Sequence, residues 1–206
     1  MINDDNLGWN ARRLWIPAIM FAGFLESGGT LTSLGTGAAV FQEAVSAAEI
    51  AGIQAEAAGD EIYHAMPIPW DMDVTQPMRF RVWFNHSATG ADTPIFKVLY
   101  KFIAKQVAIS DAGSSPDETV TFGAHTCSTT ANSLEVTAWA ESDSHSYFRS
   151  GDFGLLLCLE ADNLGSASAN EITILGMEIQ YTVKALTNPY RKTTEGQPTS
   201  GTEVND

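Results

Sequence analysis

Apolar and polar residues alternate with a period of two along most of the chain, which is the pattern of half-buried β-strands. The segment 77–86, PMRFRVWFNH, shows this alternation most clearly. Because successive side chains of a strand point to opposite faces, we predict that one face belongs to the core: Phe80, Val82 and Phe84. The opposite face carries two arginines on either side of a tryptophan: Arg79, Arg81 and Trp83.

The same alternation predicts strands throughout the chain. Their ranges are 12–19, 61–68, 94–109, 119–123, 134–141, 152–160 and 171–183. Segments rich in Gly, Ser, Asp, Asn and Pro join them, and these residues favour turns. Short strands at this spacing predict an all-β fold, a jelly-roll-like antiparallel β-sandwich.

The apolar phase of the last strand changes at Gly176. Apolar residues occupy even positions before this glycine and odd positions after it: Ile172 and Ile174, then Met177, Ile179, Tyr181 and Val183. A β-bulge at the glycine would turn both sets toward the core. We therefore predict that Ile174 and Ile179 are both buried and that strand pairing is interrupted near Gly176.

Two segments also carry helical signals. The Ala-rich segment 38–61 fits either a helix or a strand near 39–45 followed by a loop, and the second interpretation is slightly favoured. Asp92, Thr93 and Pro94 together form a helix-start signal. The aromatic and β-branched residues of 94–109 nevertheless favour a strand.

Composition divides the chain into a folded domain and two polar ends. We predict a β-sandwich domain at 12–186, an extended N-terminal arm at 1–11 and an extended C-terminal arm at 187–206. The arms contain few apolar residues, so on their own they should be disordered and should become ordered against a partner.

Charge and hydropathy exclude several classes of function. The net charge of −14 disfavours nucleic acid as a partner, because phosphate binding needs a basic surface. The most apolar run, 14–25, is too short to span a bilayer, and Pro17 and Gly23 interrupt it. It is not interpreted as a signal peptide, so we expect synthesis in the cytoplasm and no membrane partner.

The sequence contains no recognisable catalytic, cofactor-binding or metal-binding motif. Asp143 and His145 share one loop, where side chains rarely converge into a triad. Asp71 and Asp73 fit a turn before a strand better than a Ca²⁺ site, which needs more oxygen ligands. Cys158 is predicted to be a buried thiol, and two cysteines, Cys127 and Cys158, make no disulfide framework. We expect no enzyme activity, no cofactor and no metal.

The face with Arg79, Arg81 and Trp83 is the candidate interface. Arg and Trp are enriched in interface hot spots, and another copy of this acidic chain is an available partner. The arms supply further candidates: Trp9, Tyr190, Arg191 and Lys192. A rival interpretation is that the chain's own segments cover this face. Another is a platform on which sugars stack, built from Trp70, Trp83, Trp139, Tyr147 and Tyr190.

Short motifs carry a resemblance to a known class. LWIPA near the start, PIPWDMD leading into PMRFRVWFNH, and ILGMEIQYTV near the end resemble jelly-roll capsid decoration (cement) proteins of tailed phages, over residues 12–185. The resemblance implies a non-enzymatic virion protein that forms a homotrimer and stabilises the shell of the major capsid protein. The alternative is a phage tail or fibre module that binds a host-surface glycan. A secreted lectin-like or hydrolase accessory domain is disfavoured by the absent signal peptide.

Overall fold

The structure is a computed structural model that describes residues 11–23, 25–27, 30–32, 40–45, 50–55, 57–73, 75–104, 118–143, 153–167 and 171–183. Within these ranges the chain is an all-β sandwich of antiparallel sheets, with a 3₁₀ turn at Ala18–Met20. The predicted fold class is therefore confirmed.

The described strands, in chain order, are β1 (Ala11–Pro17), β2 (Ala22–Gly23), β3 (Leu25–Ser27), β4 (Thr30–Thr32), β5 (Val40–Val45), β6 (Ile50–Ala55), β7 (Asp60–Pro67), β8 (Arg79–His86), β9 (Ile95–Ala104), β10 (Glu118–Thr121), β11 (Ser133–Val136), β12 (Ala140–Glu141), β13 (Phe153–Asn163) and β14 (Ile172–Thr182).

Two sheets form the sandwich. The larger sheet has seven described strands in the order β11-β8-β14-β6-β5, with β1 also along β14 and β12 along β8. The smaller sheet has five described strands in the order β10-β9-β13-β7-β2. Strands β3 and β4 form a separate pair. Because β8 and β14 lie in the middle of the larger sheet, their outward side chains form the centre of its outer face.

Aromatic side chains from β8 and β9 join the two sheets across the core. The ring centroids of Phe80 and Tyr100 are 5.9 Å apart, and those of Phe84 and Phe96 are 5.3 Å apart. Both distances suit favourable aromatic pairs. Phe80, Val82 and Phe84 are fully buried, so the predicted core face of this strand is confirmed.

The predicted bulge in β14 is present. Pairing with β8 shifts register between Ile174 and Gly176, which leaves Leu175 as the extra residue. Ile174 and Ile179 are 2% and 1% exposed, so both apolar phases do face the core. The shift also divides one edge of β14, where β6 pairs with the part before the bulge and β1 with the part after it.

Two strand predictions need correction. In the segment 38–61 the predicted strand near 39–45 is present as β5, but the predicted loop after it is wrong, because β6 forms there and pairs antiparallel with β5. Gly52 lets β6 approach β14 closely, since a Cβ at this position would clash with the carbonyl of Ile174. Tertiary contact of this kind overrides the helix propensity of the alanines.

The second correction concerns 134–141, which was predicted as one strand. The structure has two short strands, β11 and β12, with Thr137 between them. The Val82 amide donates to the Thr137 hydroxyl oxygen at 3.0 Å, where a regular ladder would offer a backbone carbonyl. The predicted strand 94–109 is described as far as Ala104, and residues 105–109 lie outside the described ranges.

Gly176 has a second role, on the outer face. A Cβ there would lie 2.5 Å from the Trp15 ring and 2.7 Å from the Ile16 carbonyl oxygen. The Trp15 ring therefore packs directly on the backbone of β14, which only glycine permits at this position.

We expect Gly176→Ala to lower the free energy of unfolding by about 2 kcal/mol, because the Ile16 carbonyl is backbone and cannot move aside cheaply. Urea denaturation monitored by circular dichroism measures this change. Gly123→Ala is the matched control, since a Cβ there meets nothing within 4 Å and its effect should be near zero. Equal effects of the two substitutions would contradict the packing of Trp15 on Gly176.

Candidate functional site

The register of three strands arranges side chains in rows across the outer face of the larger sheet. One row contains Trp15 of β1, Glu178 of β14 and Arg81 of β8. The next row contains Arg13, Gln180 and Arg79 on the same three strands, followed by Glu141 of β12. The face therefore combines aromatic and charged side chains in a regular array.

An ion pair lies at the centre of this array. The Arg81 Nε donates a hydrogen bond to Oε2 of Glu178, and the indole Nε1 of Trp83 donates to the same oxygen at 2.9 Å. The side chains of Arg81 and Glu178 are only 18% and 13% exposed. Because the pair is largely shielded from water, it is a stronger structural element than an exposed surface pair.

Tryptophan rings lie against the Arg81 guanidinium. Its central carbon is 4.5 Å from the ring centroid of Trp139 and 5.2 Å from that of Trp83. The Arg13 guanidinium also lies 5.7 Å from the Trp139 ring. These distances suit cation–π interactions. The ring of Trp139 thus extends from the edge beside β12 back over the sheet.

Trp15 completes what we call the outer-face cluster. Its ring meets Trp83 edge to face, with centroids 6.0 Å apart. The cluster comprises Arg13, Trp15, Arg81, Trp83, Trp139 and Glu178. Trp15 remains 45% exposed, and on the same face Leu134 is 59% exposed. The outer face therefore exposes apolar surface at these two residues, while the buried charges of Arg81 and Glu178 are already paired with each other.

The environment of Glu178 lowers the pKa of its carboxyl group. Burial alone would raise this pKa, but hydrogen bonds from Arg81 and Trp83 and the charges of Arg81 and Arg13 outweigh it. Glu178 is therefore ionised at neutral pH and keeps the cluster in one arrangement.

Some of the predicted interface residues lie on the outer face, and the others lie outside the described residues. Arg79, Arg81 and Trp83 lie on the outer face as predicted, but Arg81 and Trp83 are contacted by the chain's own Trp15, Trp139 and Glu178. None of these three residues belongs to the Ala-rich segment 38–61, and the chain termini lie outside the described residues, so cover of this face by either stays a prediction. The arm candidates lie outside the described residues: Trp9, Tyr190, Arg191 and Lys192. Contact of this face with another subunit stays a prediction.

Sequence reasoning missed three members of the cluster, Arg13, Trp15 and Glu178, and it named Trp139 only as a sugar-stacking candidate. Arg13 and Trp15 are two residues apart in a predicted strand, so they share one face. This shared face was the sequence signal that could have identified them. Of the proposed sugar-stacking residues, the structure joins Trp83 and Trp139, whereas Trp70 lies in the turn after β7 and is 71% exposed. Tyr147 and Tyr190 lie outside the described residues.

Two histidines are held by carboxylates at one end of the sandwich. Nε2 of the fully buried His86 is 2.8 Å from Oδ2 of Asp92, whose other oxygen accepts the Ser166 hydroxyl. Nε2 of His125 is 2.8 Å from Oε2 of Glu135. Nδ1 of His86 is buried without a hydrogen-bond partner in the described ranges, so no Ser or Cys there completes a triad with it.

Both cysteines are buried free thiols, as predicted for Cys158. Burial, together with the charges of Glu135 and Asp92, raises the pKa of Cys127 to about 12. Burial also raises the pKa of Cys158. Neither thiol is therefore activated as a nucleophile at neutral pH.

Asp71 and Asp73 belong to the turn before β8, which confirms the turn interpretation. Met72 N donates to Pro69 O at 3.0 Å, and Asp73 accepts hydrogen bonds from Thr75. The buried Asp71 pairs with Arg12 at 2.7 Å.

Among the residues the structure describes, no three His, Cys, Asp or Glu side chains are grouped closely enough to hold a metal ion. The same part of the chain contains no helix of the length and hydropathy needed to cross a membrane.

Comparisons with known proteins identify no family. No protein-family model matches the chain, and no curated protein matches it. Among solved structures, it is similar to the CBM35 from Cellvibrio japonicus Abf62, with 12% sequence identity and a TM-score of 0.36. That match covers 84% of this chain and 98% of the other. Function therefore has to be argued from the residues of this chain.

We expect Glu178→Gln to lower the free energy of unfolding by about 2 kcal/mol at pH 7, because it removes the charged partner of Arg81. The ordinary pKa of 4.5 is lowered in the folded state, so the contribution of the Glu178 charge is complete above pH 4.5. It is lost as the pH falls through the folded pKa. The difference between the two proteins should therefore shrink in acid.

Urea denaturation at pH values from 7 down to 3 measures this difference. Glu141→Gln is the matched control, because its pair with Arg79 is 50% exposed at the carboxylate and should contribute less than about 0.5 kcal/mol. A difference for Glu178→Gln that stays constant with pH would contradict the role of its charge.

Proposed function

We propose that the protein is a non-enzymatic structural module whose outer-face cluster binds another copy of the chain in a homo-oligomer. The observation that carries this proposal is the exposure of Trp15, in one row with the paired Arg81 and Glu178, and of Leu134 elsewhere on the same face. Binding there can bury aromatic and aliphatic surface without first separating the Arg81–Glu178 pair. Rigid aromatic anchors of this kind dominate protein interfaces.

Charge complementarity favours a second copy as the partner. The chain carries 25 acidic residues against 11 basic ones, yet on the outer face Arg13 lies beside two arginines, Arg79 and Arg81, whose charges are balanced by Glu141 and Glu178. An identical chain carries a net charge of −14, so it can attract the charge of Arg13, which has no ion-pair partner within the described residues. Complementary potentials of this type speed association and select orientation.

The specific setting we propose is decoration of a phage capsid, as a trimer on the shell of the major capsid protein. It is supported by the resemblance of LWIPA, PIPWDMD and ILGMEIQYTV to capsid decoration proteins. In this setting the arms at 1–11 and 187–206 extend the contact between neighbours. Their residues Trp9, Tyr190, Arg191 and Lys192 are the proposed contacts.

The alternative, a tail or fibre module that stacks glycans on tryptophan rings, fits the cluster less well. One face of Trp83 and one face of Trp139 are occupied by the Arg81 guanidinium. A sugar that stacked on those same faces would have to displace a paired, half-buried charge. Protein contact through Trp15 and Leu134 requires no such displacement.

We expect Trp15→Ala to weaken self-association by about 2 kcal/mol, roughly a 30-fold change in the association constant, because it removes the exposed anchor. Sedimentation equilibrium over a concentration series measures the constant. Trp70→Ala is the matched control, since Trp70 is an exposed tryptophan outside the cluster and should change it little.

Both tryptophan substitutions should lower the melting temperature, because Trp15 packs on Gly176 and on Trp83, but Trp83→Ala should lower it more than Trp15→Ala. Trp83 donates to Glu178 and packs against Trp15, so its loss should lower the melting temperature as well as the association constant. A wild-type chain that stays monomeric at all concentrations, or equal effects of Trp15→Ala and Trp70→Ala, would overturn the proposal.

A further inference from the structure

A pocket opens beside the outer-face cluster, at the end of the larger sheet where β1 begins. It has a volume of about 200 Å³. Its lining comes from β1, the approach to β8, β8 itself, β12 and β14: Ala11, Pro77, Arg79, Glu141, Gln180, Tyr181 and Thr182. Sites for drug-sized ligands occupy about 300–1,000 Å³, so this pocket suits a smaller molecule.

Gln180 is the most informative residue of the lining. Its side chain is 6% exposed, and its Oε1 atom is buried without a hydrogen-bond partner in the described part of the chain. A buried carbonyl oxygen without a partner is costly, so such groups are uncommon and call for an explanation.

The other polar groups of the pocket supply both donors and acceptors. Arg79 Nε contacts Glu141 Oε2 at 2.6 Å. Within the described residues the two Nη groups of the arginine and the second carboxylate oxygen make no other hydrogen bond, so a ligand can use them. The two charges compensate each other, so the pocket selects neither a free anion nor a free cation. Pro77 and Ala11 add apolar surface beside them.

Hydroxyl groups match this arrangement, because each is a donor and an acceptor at once. Once the Gln180 side chain turns its buried Oε1 toward the pocket, a hydroxyl can donate to that oxygen while accepting from the Arg79 guanidinium, and another hydroxyl can donate to Glu141. The C–H face of a sugar ring suits Pro77 and Ala11. Small pockets with a few convergent polar groups and an apolar wall are typical ligand sites.

We propose that this pocket binds one sugar unit, a neutral polyol, through Gln180, Arg79 and Glu141. The binding is independent of the proposed self-association, because Trp15 and Leu134 do not line the pocket. The sugar unit comes either from a free monosaccharide or from the end of a glycan, and both present the same hydroxyl chemistry.

The test is a titration of the ¹⁵N-labelled full chain with D-glucose, D-galactose and N-acetyl-D-glucosamine, followed by NMR. We expect at least one sugar to shift the Gln180 side-chain amide and the Arg79 Nε–H signals saturably, with a dissociation constant of about 1–10 mM. Methyl glycosides of the same sugars distinguish the sources. Equal binding of the glycoside indicates a glycan end, and binding of the free sugar alone indicates a monosaccharide.

Variants separate the pocket from the fold and from self-association. Gln180→Leu keeps the approximate size of the side chain and should weaken binding at least about tenfold, because it removes the acceptor. Glu141→Gln changes only an exposed side chain, so it tests the site even if Gln180→Leu does not fold. Trp15→Ala is the control that should leave sugar binding unchanged.

Three results would overturn the proposal. The first is the absence of saturable shifts with all three sugars. The second is unchanged affinity in both Gln180→Leu and Glu141→Gln. The third is equal shifts with sodium acetate or guanidinium chloride, which would show a site for charge rather than for hydroxyl groups.

Discussion

The bulge in β14 is the constraint on which the two faces of the larger sheet depend. A strand has a side-chain period of two, so a single extra residue exchanges the faces of everything that follows it. Leu175 provides that residue, and Ile174 and Ile179 therefore both enter the core. On the outer face of the sheet, the same register shift places Glu178 opposite Arg81. It also places Gly176 beneath the Trp15 ring, which packs on it.

On the outer face, the ion pair between Arg81 and Glu178 determines where the neighbouring side chains lie. Arg81 is paired with Glu178 and covered by tryptophan rings, so its role is to fix the positions of those rings. What remains for a partner is apolar surface at Trp15 and Leu134. The same principle appears on the smaller sheet, where Lys97 of β9 is paired with Glu160 and Asp162 of β13.

Local patterns predicted the features that depend on alternation alone. The core face of β8 and the bulge at Gly176 follow from residues within one strand. The division between β11 and β12 was missed because Thr137 suits a regular strand, and nothing local shows that its hydroxyl replaces a backbone acceptor. The strand β6 was missed because its alanine-rich segment was interpreted as a loop, and the close contact with β14 at Gly52 that favours a strand is not visible in the local pattern. The cluster depends on the register of β1 with β14, which no local pattern specifies.

The central claim is that Trp15 is a contact between copies of the chain. Oxidative footprinting of tryptophans over a dilution series tests it directly, with Trp70 as an internal reference on the same molecule. The account predicts that oxidation of Trp15 falls as protein concentration rises, while oxidation of Trp70 stays constant. Oxidation of Trp15 that does not change with concentration would contradict it.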